Sequence, residues 1–188
     1  MPKKPVKPGS KGVVYLTFDD GPGPYTPEVL KILKDTGSTA TFFEMGIRVA
    51  EHPALPGQVR AGGNTIGNHT YDHADLTKLT PAKRRAELAR GPRARCVRPP
   101  YGATNAAVRA SIRAYGGREV LWTVDTQDWT RPGAGVIARR ASGPQVHNGS
   151  IVLMHDGGGD RSQTVRALPV IIKNLQLRGY VVRKLPYC

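Results

Sequence analysis

Apolar positions along the chain fall in short runs separated by amphipathic stretches. Val13 to Phe18 is a run rich in β-branched and aromatic residues, which predicts a strand. Thr26-Pro27 then supplies an N-cap and a proline at the first helical position, Val29, Leu30 and Leu33 give one buried face, and Gly37 ends the helix. By the same reading Ala40–Glu44 and Thr65–Asn68 are strands, with a helix over Arg48–Ala61 between them. A helix over Pro81–Arg90, a very short strand over Cys96–Arg98 and a capped helix over Thr104–Tyr115 follow. Glu119–Val124 and Ser150–Met154 read as the clearest buried strands, with a helix at Val136–Ala141 between them. A helix over Thr164–Leu177, ended by Gly179, and a strand over Tyr180–Leu185 complete the pattern. Strands alternating with helices imply βα units, a parallel sheet and right-handed crossovers, hence an α/β fold. No internal repeat or linker stands out, so residues 12–188 are expected to form a single domain.

Composition adjusts this picture at the ends and in the middle. Residues 1–11 carry four lysines, no acid and no apolar core, which excludes a signal peptide and predicts a flexible basic leader, or the scar of an upstream segment. No apolar stretch approaches the ~20 residues that a bilayer span requires. The formal charge is +14, and residues 78–118 alone hold eleven basic residues against one acid. Such a segment is either a solvated face or a surface for an anionic polymer. Its few aromatics, Tyr101 and Tyr115, give little support to nucleic-acid stacking. Cys96 and Cys188 match no zinc or redox spacing, and are either one disulfide or two unrelated thiols.

In a parallel α/β fold, function collects in the loops after the strand C-termini. There the polar residues cluster: Asp19 and Asp20 after Phe18, His69 after Asn68, Asp125 and Asp128 after Val124, and His155 and Asp156 after Met154. Asp19-Asp20-Gly21-Pro22 is by itself a plausible turn. His69 and His73 would aim their rings the same way if their segment coiled helically, although a surface pair has the same spacing. Taken together, two imidazoles and one carboxylate make a three-ligand site with an open position, the pattern of catalytic zinc. One aspartate of the pair then serves as ligand and the other as base.

Five ordered segments carry a resemblance. Thr17-Phe18-Asp19-Asp20-Gly21-Pro22, Asn68-His69-Thr70-Tyr71-Asp72-His73, Arg98-Pro99-Pro100-Tyr101-Gly102, Asp125-Thr126-Gln127-Asp128-Trp129 and Leu153-Met154-His155-Asp156 resemble the five motifs of the NodB-type polysaccharide deacetylases, carbohydrate esterase family 4. They cover about three quarters of the chain. The resemblance implies a distorted, incomplete (β/α) barrel and a metal-dependent hydrolase that removes N- or O-acetyl groups from chitin oligosaccharide, peptidoglycan or acetylxylan. It implies Asp20, His69 and His73 as metal ligands, Asp19 as general base paired with Arg98, and His155 as general acid oriented by Asp128. It also implies an oxyanion donor at the Tyr101 amide, with Trp129 and Leu153 lining the acetyl pocket. Zn²⁺ is the favoured metal, with Co²⁺ or Ni²⁺ as alternatives.

On this reading Asp125, Asp156 and Asp160 shape loops, and His52 and His147 are exposed loop residues. The expected partner is an acetylated glycan, without nucleic acid or membrane span, and the expected location is secreted or at the cell wall, with the chain a monomer. In that setting Cys96 and Cys188 are candidates for a terminal clamp. One departure stands out: only 24 residues separate His73 from Arg98, fewer than the family pattern leads one to expect. Two other readings compete. Two histidines and a carboxylate also hold iron in non-haem oxygenases, but that leaves Arg98, Asp128 and His155 without roles. A basic binding module would use residues 78–118 and none of the strand-end residues.

Overall fold

Eight strands, all parallel, curl into an incomplete (β/α) barrel in the computed structural model, which describes residues 9–188. In chain order the elements are β1 (Gly12–Asp19), α1 (Thr26–Asp35), β2 (Thr41–Glu44), α2 (Gly46–Glu51), α3 (Leu55–Ala61), β3 (Thr65–Asn68), α4 (Pro81–Arg90), β4 (Cys96–Val97), α5 (Ala106–Ala114), β5 (Arg118–Glu119), β6 (Val124–Asp125), α6 (Ala134–Ser142), β7 (Ile151–His155), α7 (Ser162–Leu177) and β8 (Tyr180–Arg183). The sheet order is β5-β4-β3-β2-β1-β7-β6, with β8 paired to the first half of β1. The expected leader lies outside the described residues through position 8; residues 9–11 form a turn whose Lys11 amide donates to the Gly179 carbonyl.

Alternation along β1 decides which side of the sheet each residue serves. Val14, Leu16 and Phe18 point into the main core beneath the helices, where Phe18 stacks on Phe42 of β2 and α7 adds Leu168, Ile171 and Leu175. Thr17 and Asp19 point to the concave side. A second core lies under α4 and α5, built on Leu88, Val108 and Ile112. The concave side is filled by Phe43, Cys96, Val120 and Leu185. The short stretch between His73 and Arg98 still holds α4 and β4, so the chain reaches Arg98 in register: Asn68 of β3 is level with Val97 of β4.

Two predicted elements are broken in the structure. The helix expected over Arg48–Ala61 is split into α2 and α3 at His52-Pro53, because the residue before proline is disfavoured in the helical region and His52 adopts φ −129°, ψ 60°. His52 is also half-buried rather than exposed. The strand expected over Glu119–Val124 survives only at its ends, as β5 and β6, which lie at opposite ends of the sheet path. The residues between them bridge the open side of the barrel. Two of their carbonyls, at Val120 and Leu121, turn inward to accept from Arg98 instead of pairing with a neighbouring strand.

Cys96 of β4 is disulfide-bonded to Cys188. The link holds the residues after β8 against the concave core, where the Leu185 amide donates to Thr41 Oγ1. Because the two cysteines are 92 residues apart, replacing both by serine is expected to cost ~2–4 kcal/mol by releasing the unfolded chain from a long loop. Denaturant unfolding without reductant measures this, and an unchanged midpoint would show that the clamp contributes nothing.

Candidate active site and metal centre

The parallel register sets the catalytic edge. Asp19 is level with His155 on one side and Phe43 on the other, and Glu44 is level with Asn68. The first residues beyond these strand ends therefore meet around one cleft of about 400 Å³, lined by Asp19, Asp20, His69, His73, Tyr101 and His155 among others. The sequence expectation that four strands deliver carboxylates and imidazoles to one edge holds in this geometry.

Three side chains converge on a common point. His69 Nε2 and His73 Nε2 lie 3.5 Å and 3.2 Å from Asp20 Oδ1, and the potential ligand atoms are all within 4.8 Å of one another. The two histidines reach this point without a helical turn between them. Thr70 and His73 both adopt left-handed backbone conformations, φ 67° and 70°, and the loop folds the rings to a centroid separation of 4.9 Å. Asp20 is left-handed as well, at φ 68°, a conformation that Asp tolerates better than most residues. Opposite it, Gly158 is required: a Cβ there would come within 2.5 Å of Asp20 Oδ2.

The fit to a cation is tested by what these atoms lack. Asp20 Oδ1 is buried with no hydrogen-bond partner among the described residues, a costly state unless something else satisfies it. His69 Nδ1 lies 2.7 Å from the Arg98 carbonyl, which can only accept, so Nδ1 carries the proton and Nε2 offers a lone pair towards Asp20. Burial on its own would raise the Asp20 carboxyl. The neighbouring histidines, His69 above all and then His155 and His73, reverse this wherever they carry a proton and hold it well below the usual range. Burial and the neighbouring charge of His69 lower His73, although Asp20 opposes them. An ionised carboxylate and a neutral imidazole are the forms that ligate a divalent cation.

Asp19, the neighbouring carboxylate, is held differently. Its Oδ1 accepts from Arg98 Nη1 at 2.7 Å, and Arg98 is fully buried. The same guanidinium donates to Thr17 Oγ1 and to the Val120 and Leu121 carbonyls, and its Cζ lies 4.0 Å from the centre of the Phe43 ring. Asp19 Oδ2 is left facing His69, 3.8 Å from Nε2.

A second buried pair flanks the cleft. His155 Nδ1 lies 2.7 Å from Asp128 Oδ1, while Asp128 Oδ2 accepts from the His155 amide and from Thr164 Oγ1 on α7. Burial works against charge on His155, yet the bond to Asp128 and that carboxylate's charge outweigh it and raise its pKa; Asp128 is correspondingly lowered against its own burial.

Tyr101 is exposed and its ring packs edge-on to His73, with centroids 4.5 Å apart. Neither Pro99 nor Pro100 carries an N–H, so the first amide available at this turn is that of Tyr101, presented by a left-handed backbone at φ 62°. Trp129 is 56% exposed at the rim and Leu153 is buried in the cleft wall.

Several contributors escaped the sequence reading. Trp122 lines the cleft and packs against Gly102, but it sits in the segment taken for a regular strand, where nothing marked it out. Asp125 both lines the cleft and shapes its loop by accepting the Gln127 amide. Thr17 and Thr164 are ordinary strand and helix residues by sequence, and only their positions make them anchors. Asp160 does shape a loop, through Tyr25, Arg131 and the Ser162 amide. Asp156 is buried behind the site, bonded by Thr26 and pushed up by burial to about 7; Glu44, also buried there, is pushed up by burial to about 8.

Fold and site define a hydrolase, and comparison with known proteins makes the class definite. Residues 6–120 match the polysaccharide deacetylase family. A peptidoglycan-N-acetylglucosamine deacetylase of Bacillus cereus is 39% identical over 184 residues, covering 92% of this chain and 86% of that protein. A chitooligosaccharide deacetylase of Bradyrhizobium is 40% identical over 195 aligned positions, covering 92% and 89%. A family 4 carbohydrate esterase of Streptomyces lividans, solved with acetate, superposes with a TM-score of 0.85 at 36% identity and 91% coverage of both chains. The chain belongs to the polysaccharide deacetylase family, carbohydrate esterase family 4, and is an enzyme of that hydrolase class.

The Arg98–Asp19 pair makes a prediction independent of catalysis. Arg98→Leu leaves a buried carboxylate unpaired and is expected to destabilise the fold by ~3–5 kcal/mol, and Asp19→Asn in that background should restore part of the loss. Urea unfolding of the two single variants and the double variant measures the coupling; strictly additive losses would refute it.

Proposed function

We propose that the chain removes N-acetyl groups from a polymer of acetylated amino sugars, with residues 12–188 acting as one catalytic unit. The observation that carries this reading is the placement of Asp20–His69–His73, Asp19–Arg98 and Asp128–His155 around a single cleft. The relatives named above act on peptidoglycan and chitooligosaccharide, which favours an acetamide over an acetyl ester. A disulfide suits an oxidising compartment, so we place the enzyme outside the cytosol, secreted or at the cell wall. No helix among the described residues is long and apolar enough to cross a membrane.

Asp20, His69 and His73 are the groups that would hold a divalent cation, Zn²⁺ by donor set, with Co²⁺ or Ni²⁺ as alternatives. When bound, such an ion supplies Lewis acidity that activates water and polarises the acetyl carbonyl. Asp19 takes the proton of the attacking water, and Arg98 holds it turned so that one oxygen faces the cleft. The Tyr101 amide donates to the oxygen that becomes negative, a contact worth ~10²–10³ in rate at comparable sites. His155 gives its proton to the departing amine, and Asp128 fixes its tautomer so that Nδ1–H is occupied and Nε2 faces the reaction. Trp129, Leu153 and Trp122 bound the apolar space in which the acetyl methyl lies.

Acetate release from chitin oligosaccharides, peptidoglycan and acetylxylan, assayed side by side, tests the substrate. The amino-sugar polymers are expected to be turned over and acetylxylan to lag; acetylxylan as the best substrate would overturn the N-acetyl assignment. A chelator should abolish turnover and added Zn²⁺ or Co²⁺ restore it, whereas full activity of a metal-free preparation would rule the mechanism out.

The pH dependence has a definite sign. The raised pKa of His155 keeps it protonated above the ordinary value of 6.5, so the activity it supports is present at lower pH and lost as pH rises through the raised value. The stability that His155 draws from the pair follows the same direction, while that of Asp128, whose carboxyl is lowered, is lost instead as pH falls through its own value. Asp128→Asn is expected to move the alkaline limb of the kcat profile to lower pH as well as reduce kcat. A limb that stays in place would show that His155 does not set it.

A further inference from the structure

Six exposed arginines gather towards the sheet edge opposite the catalytic cleft. All strands are parallel, so their first residues share one end of the barrel. There, Arg93 and Arg95 precede β4 and Arg118 opens β5, with the Arg118 amide donating to the Arg95 carbonyl at 2.7 Å. Arg60 lies in the last turn of α3, and Arg109 and Arg113 sit one turn apart on α5. Strands such as β3 have four residues and span ~13 Å at ~3.3 Å per residue, so the two edges are separated by the height of the sheet.

These six arginines border two surface clefts, of about 250 Å³ and about 350 Å³. Arg109, Arg113 and Arg118 line one over the floor made by Ile112 and Gly117, and Arg60, Arg93 and Arg95 line the other beside Asn64 and Thr65. All six are exposed, and none forms an ion pair among the described residues. The one side-chain carboxylate lining either cleft is Glu119, which is engaged by the Thr104 hydroxyl; the last residue, Cys188, also lines the Arg60–Arg93–Arg95 cleft, and its terminal carboxylate makes no ion pair with these arginines. Arg60 and Arg113 gain from the partial negative charge at their helix C-termini, and Arg118 lies over the Tyr187 ring. Such contacts stabilise a cation without neutralising it. Like charges one helical turn apart repel, so a ligand anion between them relieves a cost that the free protein carries.

We propose that this arginine band docks a phosphodiester-linked polyol polymer of the cell wall, tethering the enzyme to its solid substrate while the catalytic edge faces the glycan. The choice of polymer rests on the polysaccharide reading given above. The six cations are all arginine, whose planar fork matches phosphate oxygens in pairs. Their two-cleft spacing suits an anion repeated along a chain rather than a single small ion. Single-stranded nucleic acid fits less well, because few aromatic rings stand beside the band: Tyr187, over which Arg118 lies, and Tyr115, packed against Gly117.

Co-sedimentation with purified bacterial sacculi, before and after chemical removal of their polyol-phosphate chains, tests the proposal. The wild-type chain is expected to bind intact sacculi in a manner that weakens steeply with salt, and to bind stripped sacculi much less. The variant Arg93→Gln, Arg95→Gln, Arg113→Gln, Arg118→Gln should lose about tenfold or more in affinity, equivalent to ~1.4 kcal/mol, with turnover of soluble chitin oligosaccharide and thermal unfolding unchanged. Equal binding to intact and stripped sacculi would overturn the proposal. So would unaltered binding by the variant, or tighter binding to duplex DNA than to purified polyol phosphate. A wild-type chain without turnover on soluble substrate would contradict the deacetylase reading alone, and the sacculus comparison would still decide the band.

Discussion

The guanidinium of Arg98 is fully buried, and four of its five N–H donors are taken by groups on β1 and on the segment between β5 and β6. Much of the molecule's organisation follows from satisfying that one cation. An arginine just past a short strand can be desolvated only if a carboxylate and several carbonyls come to it, and Phe43 and Trp122 close over its faces. The segment 120–123 keeps only the strand-like amide bonds of Val120 and Thr123, to the Val97 and Ile151 carbonyls, and turns two of its own carbonyls to Arg98, and in doing so it joins the two ends of an open sheet. The cleft therefore has a rigid floor. The proposed base, Asp19, is fixed by the same contact that closes the barrel, and the Arg98 carbonyl fixes His69 from the other side.

This arrangement explains why two adjacent aspartates have different surroundings. Asp19 is the last residue of a strand and points to the concave side, where Arg98 waits. Asp20 turns into a left-handed conformation and presents an unpartnered oxygen to two imidazoles. Alternation along the chain and one turn of backbone thus separate a carboxylate held by a guanidinium from one open to a cation. The Asp128–His155 pair repeats the logic on the far wall, with Thr164 of α7 taking up the carboxylate's spare oxygen.

Much of this was legible in the sequence because it depended on local pattern. The alternation of strand and helix, and the run of polar residues just past each apolar segment, located the catalytic edge before any coordinate was known. What was illegible depended on distant contacts. The break at His52-Pro53 had a visible signal in the proline, and it was overridden by an apolar pattern that looked continuous. The loss of regular strand pairing at 120–123 had no local signal, since Val120 and Leu121 look like any buried strand and their carbonyls turn only because Arg98 lies opposite. The convergence of His69 and His73 was expected from helical spacing and is achieved by a left-handed loop instead. The barrel also separates chemistry from charge, collecting the acids and imidazoles at one edge and unpaired arginines at the other, a division that composition by segment could suggest but not place.

The central claim is that Arg98 reserves Asp19 for proton transfer and leaves Asp20 to complete the cation site. Calorimetric titration of the metal-free protein with Zn²⁺ tests it most directly, through Asp19→Asn and Asp20→Asn side by side. The account predicts one ion per chain for wild type and for Asp19→Asn at similar affinity, and a loss of about a hundredfold or more, ~2.7 kcal/mol, for Asp20→Asn. Retention by Asp20→Asn together with loss by Asp19→Asn would contradict it.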